Sequence, residues 1–180
     1  MAYLSTLPMR GAPPASPGSG ASPFAIGAAK GAGLGASAPD FVGGGAGQEP
    51  LLMDLDGKEI RLHNFADRPV WIVFWTTWCT PCQQEAGDIR AAYHAHRGDG
   101  LAVLAIDVQE PAVAVRDYAV SHDLDYSIGL DPTAAVKAMY GAWALPSHIF
   151  LDRNGVIRDR YLGQLTAELM EDHLRTIIGP

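Results

Sequence analysis

The sequence predicts an α/β domain: a mixed central β-sheet flanked by helices on both faces, with an N-terminal β-hairpin extension. Three observations carry this. Two continuous apolar runs, Val70–Trp75 and Leu101–Val108, have the length and the β-branched and aromatic content of strands buried on both faces. A stretch of helical periodicity lies between them, so the connection is a crossover and the two strands are parallel. Later, Arg153-Asn154-Gly155 separates two more strand-like runs, and Asn-Gly is a strong short hairpin signal that adds antiparallel strands.

The elements follow in chain order. Met1 to about Ser37 is dominated by Ala, Gly, Pro and Ser, as in GAPPASPGSG and GAAKGAGLGAS. Such a segment buries too little apolar surface to offset the entropy of ordering, so residues 1–37 are expected to be a disordered tail. The domain is expected over 38–180. Phe41 and Val42 precede the glycine-rich GGGAGQEP, a loop. Leu51–Leu55 and Glu59–Leu62 flank Asp56-Gly57, which predicts the N-terminal hairpin. After the Val70–Trp75 strand, a helix runs from Cys79 to about His96. Pro81 suits its first turn, and Ala86, Ile89, Ala92 and Tyr93 share one face. Gly98 and Gly100 end it. Beyond the Leu101–Val108 strand come a helix from Pro111 to about His122, a short strand at Tyr126–Gly129 and a helix at Pro132–Tyr140. Strands at His148–Asp152 and Val156–Tyr161 form the late hairpin. Thr166 caps a last helix, which presents Leu169, Met170, Leu174 and Ile177 on one face and runs to Ile178.

Composition narrows the chemistry. Hydrophobic residues make up 48% of the 180, enough for a real core, and the formal net charge is −7. That balance argues against nucleic-acid or anionic-membrane binding, which needs a basic face. No stretch approaches a transmembrane helix, and MAYLSTLPMR does not read as a secretory signal. The two cysteines are three positions apart, too few for a disulfide-stapled scaffold. No second ligand pair accompanies them, so no metal site and no dissolved cofactor are expected.

Cys79-Thr80-Pro81-Cys82 follows a buried strand and opens a helix. A thiolate at Cys79 would be stabilised by the helix N-terminal dipole and its free N–H groups. Cys82 lies one turn inside the helix and is expected to be the less exposed of the two. Cys79 is therefore the expected nucleophile, attacking a substrate disulfide, and Cys82 resolves the mixed disulfide.

Ala38-Pro39-Asp40-Phe41, the run VWIVFWTTWCTPCQQE and the segment GLDPTAAVKAMYGAWALPSHIFLDRNGVIRDRYLG resemble the TlpA/ResA-like branch of the thioredoxin superfamily, with its redoxin or AhpC/TSA-like domain. The likeness runs from about Ser37 to Ile178. It implies a thioredoxin-like fold and a protein-disulfide oxidoreductase acting mostly as a reductant. It also implies an extracytoplasmic setting and roles such as cytochrome c maturation. Partners would be protein disulfide or dithiol substrates and an upstream donor, a thioredoxin-like or membrane thiol carrier, with the chain as a monomer. Cys79 and Cys82 match the redox pair, and Glu85 matches the acidic residue that handles the proton of Cys82. Pro146 matches the family's cis-proline, so Trp78, Pro81, Leu145 and Pro146 would position substrate. Thioredoxin itself carries a buried Asp on the preceding strand, where this chain has Val73. Ser147 and His148 stand where the family usually has two threonines. A lone histidine is most often structural, so His148 is expected to fill a surface or core position, with a titratable group near substrate as the other reading.

Three other activities are open to the same residues. Thr76-Thr77-Trp78-Cys79 has the T-x-x-C spacing of a peroxiredoxin-type thiol peroxidase, although Ile72 stands where such sites carry proline. The domain could be a redox-inert binding or assembly module. Its dithiol could also deliver Cu(I), which soft thiolates suit.

Overall fold

The computed structural model describes residues 33–42 and 51–179. The two apolar runs form the expected parallel pair, β2 (Val70–Trp75) and β3 (Ala102–Val108), with every residue of both buried. Helix α1 (Thr80–His96) makes the crossover between them. Helix α2 (Ala112–Ser121) leads from β3 to β4 (Ser127–Asp131), which is parallel to β3. After α3 (Ala135–Met139), β5 (Ser147–Leu151) lies antiparallel to β2 and forms a hairpin with β6 (Ile157–Leu162). Helix α4 (Ala167–Ile178) closes the chain, and Thr166 Oγ1 caps it by accepting the Leu169 N–H at 3.3 Å. With β1 (Met53–Asp54) on one edge, the sheet order is β1-β4-β3-β2-β5-β6.

Strand alternation divides the core into two layers. Val70, Ile72 and Phe74 face the layer that holds Val136 and Tyr140 from the α3 region, together with Leu62 and Phe41. Trp71, Val73 and Trp75 face the other, which holds Ile89 of α1, Val115 of α2 and Leu174 of α4. Both cysteines belong to this second layer.

Two elements differ from their sequence expectation. The turn at Asp56-Gly57 forms, with Asp54 N–H donating to Lys58 O at 2.7 Å and Ile60 N–H to Leu52 O at 2.9 Å. Only its first arm becomes a strand, β1, which pairs with β4 at the sheet edge. The second arm keeps one bridge, Met53 to Glu59, and then turns into a 3-10 helix at Leu62–Phe65. The reason is tertiary. Asp40 Oδ1 takes the Leu62 N–H at 2.5 Å, and Leu62 and Phe65, three apart, are both buried. Helix α3 starts later than its expected Pro132 because Asp131 shapes the turn before it: its carbonyl accepts the Ala134 N–H and its Oδ2 the Lys137 N–H.

The tail expected over 1–37, except for its end, and the GGGAGQEP loop lie outside the described residues. The chain just before the domain is tied down. Gly35 N–H and Ala38 N–H donate to Ile157 O and Gly155 O, both at 2.8 Å. Among the described residues no helix is long and apolar enough to cross a membrane.

Candidate active site

The site is built where β2 ends and α1 begins. Trp75 is the last residue of β2, and Thr76 to Trp78 carry the chain to Cys79, the N-cap of α1. Cys79 and Cys82 are joined as a disulfide with their Cα atoms 5.2 Å apart. Cys79 Sγ accepts the Cys82 N–H at 3.4 Å, so the sulfur takes the place usually held by a capping oxygen. Pro81 occupies the first turn, where the absent N–H breaks no intrahelical bond. Both sulfur residues are nearly covered, Cys79 at 6% exposure and Cys82 at 3%. The ordering is the expected one, though the difference is small. Trp78 beside them is 70% exposed, an unusual position for so large an apolar surface.

The loop before Cys79 is held by a carboxylate just beyond the C-terminal end of β3. Glu110 Oε2 accepts the Thr77 N–H at 2.5 Å and Oε1 the Thr77 hydroxyl at 2.6 Å. Asp107, fully buried on β3, accepts the Glu110 N–H through Oδ1 at 3.2 Å. Burial above all, with Glu110 close by, pushes the Asp107 carboxyl up to about 8. Burial alone would raise Glu110 as well, but the neighbouring Asp107 carboxyl and the two bonds from Thr77 outweigh that and hold it below the usual carboxylate range.

On the opposite flank the Leu145–Pro146 peptide is cis. Ser147 stands opposite Phe74 in the β2–β5 register, so Pro146 lies at the end of β5 that faces the start of the Cys79 loop. Leu145 packs against both core layers, including the one that contains the cysteines. The backbone here is fastened by Gly163 N–H to Pro146 O at 2.8 Å and by Ser147 Oγ to Ala144 O at 2.5 Å.

Glu85, one turn beyond Cys82, is buried at 1% exposure. It lines a small enclosed cavity with Cys82, Val73, Trp75 and Tyr126. Its Oε2 accepts the Leu165 N–H at 3.0 Å, and its Oε1 lies 3.4 Å from His148 Nε2. The structure thus brings Cys79, Cys82, Pro81 and Glu85 together on one helix terminus, with Trp78 on the rim and Leu145 and Pro146 on the adjoining loop.

A sequence model of the AhpC/TSA family matches residues 34–160. The chain belongs to this family. Thiol-disulfide oxidoreductase ResA of Geobacillus thermodenitrificans is 33% identical over 144 residues, which are 80% of this chain and 78% of that protein. ResA of Bacillus cereus is 30% identical over the same shares. Among solved structures, a thiol:disulfide interchange protein of the thioredoxin family from Chlorobium tepidum matches with a TM-score of 0.67 at 20% identity. That match covers 79% of this chain and 96% of that one. This AhpC/TSA-family chain is therefore a ResA-like member of the thioredoxin superfamily, with a thioredoxin-like fold. Its activity is thiol–disulfide exchange with protein thiols.

Sequence reasoning did not find Thr77, Asp107 or Glu110, because Glu110 meets Thr77 across 33 positions and no local spacing announces it. It favoured a structural role for His148 over a titratable one near substrate. In this AhpC/TSA-family protein His148 is fully buried, but it is hydrogen-bonded rather than merely packed.

Proposed function

We propose that this chain reduces protein disulfides, with Cys79 as nucleophile and Cys82 as the resolving thiol. The observation that supports this most is the disulfide at the α1 N-terminus with Cys79 as N-cap. In the reduced protein a Cys79 thiolate is favoured there by the helix dipole and by the Cys82 N–H. That thiolate attacks one sulfur of a substrate disulfide and the other substrate sulfur leaves. Cys82 then attacks Cys79, re-forms the disulfide and releases the reduced substrate.

Glu85 serves as the proton acceptor of Cys82, and its burial in the same cavity supports that role. Trp78, Pro81, Leu145 and Pro146 position substrate, and the exposure of Trp78 beside the disulfide supports this. The acting unit is a domain over 38–180, preceded by the Ala/Gly/Pro/Ser-rich residues 1–37 and working as a monomer. An upstream dithiol carrier, thioredoxin-like or membrane-bound, returns it to the reduced form, and no dissolved cofactor takes part. The reductant direction follows from the family resemblance, and thiol–disulfide chemistry of either direction is what the names of its ResA relatives carry.

Reduction of insulin disulfides with dithiothreitol as donor tests the reading. Wild type accelerates the reaction and Cys79→Ser falls to the uncatalysed rate. Cys82→Ser accumulates a mixed disulfide at Cys79, visible as a mass adduct. Insulin reduction unchanged in Cys79→Ser would contradict the assignment and favour a redox-inert binding module.

A further inference from the structure

His148 lies on β5 opposite Val73 of β2, on the sheet face that carries both cysteines. Trp71 Nε1 is 3.3 Å from its Nδ1. An indole N–H can only donate, so Nδ1 accepts and the ring proton sits on Nε2. Nε2 faces two oxygens, Gly163 O at 3.2 Å and Glu85 Oε1 at 3.4 Å. The side chains of His148 and Glu85 are both wholly buried. Glu85 Oε1 has no hydrogen-bond partner, while Oε2 is taken by the Leu165 N–H. A buried carboxylate oxygen with no donor is costly, and His148 Nε2–H, bonded here to Gly163 O, lies 3.4 Å from it.

We infer that His148 is a positioning residue for the resolving step: locked by Trp71 as the Nε2–H tautomer, it orients the Glu85 carboxylate to take the Cys82 proton. The inference rests on the reading of Glu85 as that proton acceptor. In the step, Cys82 Sγ–H gives its proton to Glu85 and the thiolate attacks Cys79 Sγ. The Cys79–substrate S–S bond breaks, and its electron pair leaves on the substrate sulfur, which takes a proton from water. His148 keeps its own proton throughout. It acts by turning its Nε2–H from Gly163 O to the carboxylate before the transfer.

The other titratable groups around the pair are few. Cys82 shares α1 with Glu85, and Tyr126, just before β4, lines the same cavity. Burial, with the Glu85 charge adding, raises the Tyr126 hydroxyl far enough that it stays protonated. From β6, Tyr161 stands opposite His148 with ring centroids 6.4 Å apart. His173 of α4 stacks on Phe150 and bonds Asp159 of β6 at 2.7 Å.

The test uses the reduced full chain with 5,5′-dithiobis(2-nitrobenzoate). Cys79 attacks the reagent and releases one thionitrobenzoate, and Cys82 then releases the second. The second phase is followed by stopped flow across pH. Its midpoint in wild type is expected to move up by about one pH unit in His148→Phe, which removes the N–H donor to the carboxylate. His148→Gln keeps an N–H near the same place and is expected to return toward the wild-type midpoint. Glu85→Gln alters the profile, and adding His148→Phe to it changes nothing more. Trp71→Phe reads the same claim without touching His148: with Nδ1 no longer fixed as acceptor, the midpoint moves up by a smaller amount.

A normal profile in His148→Phe beside an altered one in Glu85→Gln overturns the His148 inference alone. So does an unmoved midpoint in Trp71→Phe, or an undiminished His148→Phe shift in the Glu85→Gln background. A normal profile in Glu85→Gln overturns the Glu85 reading and this inference with it.

Discussion

Asp107 stands on β3 among apolar neighbours, and its protonation couples the fold to pH at the level of a single residue. Its Oδ2 is buried without a hydrogen-bond partner, and burial above all pushes its carboxyl up to about 8. The folded state therefore holds a proton that the unfolded chain has lost once the pH passes about 4. Between those values the native state binds more protons than the unfolded one, so stability falls as pH rises. Urea unfolding should show wild type losing on the order of 2 kcal/mol more than Asp107→Asn between pH 5 and pH 8, since asparagine cannot ionise. Equal slopes for the two proteins would contradict the assignment. The cysteine pair could be read from the sequence because its chemistry is local: two thiols one turn apart, after a buried strand and at a helix start. Asp107, Glu110 and His148 could not. His148 meets Glu85 only once β5 has paired with β2 and α1 has crossed over them, and residue type alone cannot report that pairing.

At the scale of elements, the long apolar strands and the capped helices follow their sequence signals closely, because propensity, periodicity and capping agree there. The edge near β1 does not follow its signal. Turn chemistry at Asp56-Gly57 correctly placed a turn, but whether its second arm becomes a strand depends on Asp40 reaching the Leu62 N–H from outside the hairpin. The same edge is closely packed. A Cβ on Gly129 of β4 would stand 2.7 Å from Leu52 Cδ2 and 2.8 Å from its Cγ. Leu52 is fully buried and has little room to move away. Gly129→Ala should cost about 1–3 kcal/mol of unfolding free energy, as overpacking does. Adding Leu52→Ala should recover part of that cost, so the double variant is less destabilised than the two single costs added together. Strict additivity in the denaturation series would show that the two positions do not meet.

Over the whole molecule, a six-stranded sheet separates two apolar layers, and the disulfide sits in the layer covered by α1, α2 and α4. This placement leaves the redox pair nearly covered, with an exposed tryptophan at its rim and buried carboxyls on two sides. The sheet's mixed character could be read from the crossover and the late hairpin, but not that β5 pairs with β2. The measurement that bears most directly on the central claim is the midpoint potential of the Cys79–Cys82 couple, from thiol alkylation across a series of redox buffers. A protein-disulfide reductant should have a value near or below about −250 mV. A value near about −120 mV would make the pair a strong oxidant and contradict the account.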